Sequence, residues 1–123
     1  MSEGWIHVGN AEELQAYFES LLPGIRKVAR RHGYAIGVHG SMRRDLDLIA
    51  VPWKEDHSDK QVLADAIQKE VGRGIVDTAS LPWEEKPCGR LAISLHSGAW
   101  PEFDYGVAGL GHIDLSVVVG KTK

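Results

Sequence analysis

A single cysteine, Cys88, stands among 123 residues, alone in "KPCGR". It has no partner for an internal disulfide and no CxxC neighbour, which excludes a thiolate metal cluster and fits a reducing compartment. Long hydrophobic runs are missing as well: no apolar stretch approaches the roughly 20 residues that a membrane span requires, so no membrane partner is expected. The opening "MSEGWIHVGN" has neither the basic region nor the apolar core of a secretory leader, and a cytoplasmic location is expected. Positive charge is in short supply, with 14 Lys and Arg against 17 Asp and Glu and a net charge of −3. That balance argues against a general nucleic-acid groove. Two local basic clusters, Arg26, Lys27, Arg30 and Arg31 and then Arg43 and Arg44, leave room for a small anionic ligand. There are no repeats, low-complexity tracts or linkers, so one domain over residues 1–123 is expected.

What is present is the composition of an ordinary globular chain, 43% apolar and 25% charged. Asn10 with Glu13 forms an N-cap pattern, and Leu14, Tyr17, Phe18, Leu21 and Leu22 follow at helical spacing. Pro23 and Gly24 are expected to kink or restart this helix. Ile25, Val28 and Ala29 continue an apolar face to a glycine stop at Gly33. "YAIGVHG" and "LDLIAVP" read as two strands, and Ser58 with Gln61 opens a second helix marked by Leu63, Ala64, Ile67 and Val71. The stretch from Gly74 to Gly89 reads as a loop, with a short strand at "GIVDTA". "RLAISLHS" and "HIDLSVVV" then read as antiparallel neighbours across a long Gly-rich and aromatic connection. This order predicts an α+β domain, a small mixed β-sheet with helices packed on it.

The chemistry concentrates in "VHGSMRRDLDLIAVPW". Alternate strand residues share a side, so Asp45 and Asp47 are expected to project together, opposite Leu46 and Leu48. Carboxylates held together repel each other, and a hard cation such as Mg²⁺ relieves that excess charge through oxygen ligands. Asp114, in "GHIDLSVVV", stands at a matching place on another apolar run and supplies a third carboxylate. Gly40 and Ser41 offer a turn with a hydroxyl and backbone N–H groups for phosphate, with Arg43 and Arg44 alongside.

This pattern resembles the nucleotidyltransferase superfamily that includes DNA polymerase β. There a Gly-Ser turn precedes a strand carrying Asp-x-Asp, and a third Asp lies on a later strand. "HGS", "DLDLIAVPW", "RLAISLH" and "IDLSVVV" look most like small phage- or prophage-encoded proteins of that fold, over about residues 34–119. The resemblance implies a nucleotidyltransferase-like fold and Mg²⁺- or Mn²⁺-dependent transfer of a nucleotidyl group from an NTP to an acceptor. It makes Asp45, Asp47 and Asp114 the catalytic and metal-holding residues, and Gly40, Ser41, Arg43 and Arg44 the nucleotide-binding ones. A phage origin would place the protein in the host cytoplasm. Only Met42, Arg43 and Arg44 separate Ser41 from Asp45, where active members carry a helical turn. The arginines would then stand in for the helix N-terminus. Two alternatives remain open: a catalytically inactive effector on the same scaffold that binds and inhibits a host protein, and an antitoxin-type partner.

Plainer readings accompany these. Asp45 also suits a turn, Asp47 an exposed strand edge, and Ser41, Arg43 and Arg44 solvated turn positions. His39, His96 and His112 lack zinc-ligand spacing and read first as structural histidines, with His112 the one retained as a site neighbour. Asp104 in "EFDYG" competes weakly with Asp114. Trp53, Trp83 and Trp100, each beside a proline, read as hydrophobic anchors at strand ends and loops.

Overall fold

The computed structural model describes residues 6–71, 77–101 and 111–119. The chain enters through a short strand, β1 (Ile6–Val8), and turns into helix α1 (Ala11–Arg31). Asn10 caps α1 by accepting from the Glu13 N–H at 2.8 Å. The Glu13 carboxylate reaches back to the Gly9 N–H at 2.7 Å, one residue earlier than a reciprocal capping box would. The helix does not restart at Pro23 and Gly24 as expected. Pro23 removes one amide donor, while the buried stripe of Leu14, Phe18, Ile25, Val28 and Ala29 runs past it on both sides and holds the helix to the core. At the far end Gly33 takes φ +85°, and a Cβ there would meet the His57 backbone at 2.8 Å, so two independent constraints require glycine.

Strand β2 (Tyr34–His39) and strand β3 (Leu46–Pro52) form an antiparallel pair. Helix α2 (Lys60–Val71) follows. Its cap is Asp59 rather than the expected Ser58: the Asp59 carboxylate accepts from Gln61 N at 2.9 Å. Ser58 is occupied elsewhere, its N–H bonding to His32 O and its carbonyl accepting from the Tyr34 hydroxyl. The strand expected at "GIVDTA" is corrected in its described part. Thr78–Ser80 is a 3₁₀ turn capped by the Asp77 side chain, and residues 74–76 lie outside the described residues. A strand does occur further along the stretch read as loop, β4 (Glu84–Lys86). Then come β5 (Arg90–His96), β6 (Ala99–Pro101) and β7 (His112–Val118).

The five-stranded mixed sheet has the order β2-β3-β7-β5-β4, and β1 with β6 makes a separate parallel pair. β7 is central, running parallel to β3 and antiparallel to β5, as the expected pairing of the last two runs requires. Together with the two helices this is an α+β fold. Strand alternation divides the sheet by face. Leu46, Leu48, Ala50, Ile93, Leu95, Ile113, Leu115 and Val117 are buried in one core with the apolar stripes of α1 and α2. Asp47, Ser94, His96, His112, Asp114 and Ser116 occupy the opposite face. Gln68 is the large polar side chain inside, 1% exposed, and it donates to His96 O at 2.8 Å while accepting from His96 N at 3.0 Å. Both its amide groups are thereby satisfied.

Two tryptophans part company. Trp83 packs on the core and donates to Gln61 Oε1 at 2.9 Å, as an anchor should. Trp53, just past the end of β3, is 57% exposed rather than an anchor, with the Lys54 ammonium 5.4 Å from its ring. The side chain of Trp100 lies outside the described residues. Among the described residues no helix is long and apolar enough to cross a membrane.

The core depends most on its largest fully buried side chain, Phe18 of α1. Phe18→Ala leaves a cavity and should lower unfolding free energy by about 3–5 kcal/mol, read from urea denaturation at unchanged slope.

Candidate functional site

The site follows from strand register. His39 of β2 pairs with Asp47 of β3, Asp47 with Asp114 of β7, and Asp114 with Ser94 of β5. One row of side chains therefore crosses four strands on the face opposite the helices. The next row holds His112 and His96, which are also register partners, their rings 5.0 Å apart at 77°. Between β4 and β3 this face hollows into a groove of about 570 Å³ whose lining includes His39, Asp47, Arg90, Ser94, His96 and Asp114.

Electrostatics concentrate at the middle of the first row. Partial burial raises the Asp47 carboxyl above its ordinary value, and repulsion and a shared hydrogen bond with Asp114 add to the rise, while His39 opposes it. Ser94 Oγ donates to Asp114 Oδ1 at 2.8 Å and fixes that carboxylate. Asp45 precedes β3 rather than lying on it. The backbone there is tied to the start of β7 by Gly111 N donating to Arg44 O at 2.8 Å. Burial likewise raises Asp45, then repulsion from Asp114, with His112 and Arg44 pulling the other way. Its Oδ1 is buried without a hydrogen-bond partner among the described residues. Burial first, then the neighbouring His112, lowers His96.

The structure thus brings Asp47 and Asp114 side by side, with Asp45 near enough to feel both but outside the groove lining. The turn residues fare differently. Gly40 takes φ +83°, and a Cβ there would come 3.1 Å from Asp47 Oδ2, so its lack of a side chain makes room for that carboxylate. Ser41 Oγ accepts from Arg43 N at 3.3 Å. Met42 adopts φ 62°, a left-handed conformation held by packing of its side chain on the core. No helix forms in this turn. Arg43 lies 3.6 Å from Glu12 of α1, and neither Arg43 nor Arg44 lines the groove. Asp104 lies outside the described residues.

Sequence reasoning missed Ser94 and Arg90, and read His39 and His96 as structural. The signal was available in "RLAISLH", where Arg90, Ala92, Ser94 and His96 alternate away from Leu91, Ile93 and Leu95. Only the pairing of β5 with β7 shows that this polar set faces Asp114.

A hard cation is the ligand these donors suit. Asp45 Oδ1, without a hydrogen-bond partner among the described residues, and the crowded Asp47 and Asp114 carboxyls are oxygen donors whose mutual repulsion His39, His112 and Arg44 oppose. They do not form a finished cage: among the described residues no group of three or more His, Cys, Asp or Glu side chains is arranged to hold a metal ion. Mg²⁺ is commonly held by one or two carboxylates with water and substrate phosphates, so a pair suffices. A scan against protein-family models finds no match, and a search of the curated proteins finds none.

Two outcomes follow. Gly40→Ala should destabilise the fold by about 1–2 kcal/mol in chemical denaturation, since alanine resists the left-handed conformation. The raised Asp47 group binds its proton more readily folded than unfolded, so its contribution to stability is lost as pH rises from the ordinary 3.8 through the raised value. Asp47→Asn should therefore keep or raise the melting temperature at pH 7, and its advantage over wild type should vanish below about pH 4 in a calorimetric pH series.

Proposed function

We propose that this chain is a Mg²⁺- or Mn²⁺-dependent nucleotidyltransferase-like protein that transfers a nucleotidyl group from an NTP to an acceptor hydroxyl. The observation that supports it is the in-register pairing of Asp47 with Asp114 on parallel strands at the base of an open groove. A divalent cation bound there would neutralise the triphosphate and polarise the α-phosphorus. Asp47 and Asp114 would hold it, with Asp45 adding negative charge nearby. Ser94 keeps Asp114 in place. Asp114 orients the acceptor and takes its hydroxyl proton. The acceptor oxygen then bonds to the α-phosphorus, the bond from that phosphorus to the bridging oxygen breaks, and pyrophosphate leaves. A host-cytoplasm setting, which the resemblance to phage-encoded proteins would imply, belongs to the proposal.

A second reading has its own support: the scaffold is catalytically idle and binds and inhibits a host protein, with an antitoxin-type partner as the remaining alternative. The turn after Ser41 forms no helix to cradle a triphosphate, and no group of three side chains is ready for a metal among the described residues.

Labelled NTPs with Mg²⁺ and host lysate separate the two. Transfer predicts label on an acceptor, lost in the Asp45→Ala, Asp47→Ala double variant. It also predicts that millimolar Mg²⁺ or Mn²⁺ raises the melting temperature of wild type and not of Asp47→Asn. Absence of label and of any metal shift, with a stoichiometric partner retained by the double variant in a pull-down, establishes the binding module.

A further inference from the structure

Asp47 and Asp114 line one part of the groove, and its cations, with Glu84 beside them, come from the β4–β5 hairpin. Arg90 opens β5, and the hairpin register sets Lys86 of β4 opposite it, so both project from the same face and both line the groove with Asp47 and Asp114. The Arg90 guanidinium is held by neutral acceptors: Nε donates to Pro87 O at 3.0 Å, and Nη1 makes a long 3.4 Å contact with Ser116 Oγ. Among the described residues no carboxylate pairs with it. Lys86 makes an exposed 3.5 Å contact with Glu84, a kind of pair that contributes little and yields readily to a stronger anion.

Spacing makes this arrangement useful. Ser116 lies two residues beyond Asp114 on the same face of β7, which is about 7 Å along a strand. Arg90 bonds Ser116 and Asp114 bonds Ser94 rather than each other, which leaves the two open to a group that bridges a cation at the acids and a guanidinium at Ser116. A planar fork fixed by two acceptors, with no carboxylate partner among the described residues, suits phosphate oxygens in two-point fashion. The turn arginines do not compete for this place, since Arg43 is directed at Glu12 and Arg43 and Arg44 lie outside the groove lining.

We propose that Arg90, assisted by Lys86 on the β4–β5 hairpin, forms the phosphate subsite of this groove and takes the di- or triphosphate portion of a ligand whose divalent cation sits at Asp47 and Asp114. The subsite deepens the transferase reading and rests on it for the identity of the cation and the nucleotide. It departs from the assignment of phosphate to Ser41, Arg43 and Arg44.

Pyrophosphate is the probe, titrated into the full chain with and without Mg²⁺ and followed by calorimetry and amide chemical shifts. Arg90→Gln should weaken binding tenfold or more, Arg90→Lys should recover part of the loss, and Arg43→Ala should stay within twofold of wild type. Amide shifts should centre on residues 84–94 and 114–118. Melting curves of Arg90→Gln and Arg90→Lys that match wild type assign the loss to the ligand rather than the fold. Binding that survives Arg90→Gln, that fails in Arg43→Ala, that is absent from wild type at millimolar pyrophosphate, or that malonate matches at equal strength overturns the subsite. Pyrophosphate held through Arg90 with no label transferred from any NTP keeps the subsite and removes the transferase reading. Label transfer with an unchanged KM in Arg90→Gln does the reverse.

Discussion

The parallel register between β3 and β7 is the constraint on which everything else hangs. Leu46, Leu48 and Ala50 of β3 face the same core as Ile113, Leu115 and Val117 of β7. A slip of one residue would turn every one of these side chains out of the core and bring Asp47 into it. The apolar side of the two strands therefore determines what happens on the polar side. Asp47 stands beside Asp114 because their leucine and isoleucine neighbours must be buried. Two carboxyls that would otherwise separate are kept in contact by burial energy spread over the whole core.

Much of this was legible in the sequence, and the boundary of legibility has a physical cause. The strands at "YAIGVHG", "LDLIAVP", "RLAISLHS" and "HIDLSVVV" show the alternation that half-buried strands impose, and all four form. The second helix shows its buried spacing equally well. β4 is three exposed charged residues, "EEK", and owes its conformation to β5 rather than to any local preference, so nothing in the stretch announced it. Pro23 misled in the opposite direction, because tertiary burial on both sides of it outweighs one missing donor. Among site residues, Asp47 and Asp114 could be read from their apolar neighbours. Ser94, Arg90 and His39 acquire meaning only through pairings between distant segments, which one strand's alternation does not contain.

The polar face is also unusual in how its charges are distributed. Acids gather where β3 meets β7, imidazoles surround them at His39, His96 and His112, and the cations Arg90 and Lys86 lie towards the β4 edge. Ser94 and Ser116 are the neutral links between these groups, one bonded to Asp114 and the other to Arg90. Glu84 shares the β4 edge with Lys86, so the groove runs from an acidic pair to a mixed edge in which Arg90 is the cation held only by neutral acceptors among the described residues.

Gln68 carries a consequence beyond satisfying its own amide. By reading both the N–H and the carbonyl of His96, it acts as a dowel between α2 and β5. The helix cannot ratchet along the strand by a turn without stranding four polar groups in the interior. His96 presents its ring to His112 on the far side of that same peptide segment. One peptide segment of β5 is thus pinned from the helix side by Gln68 while its side chain forms half of the histidine pair on the carboxylate face.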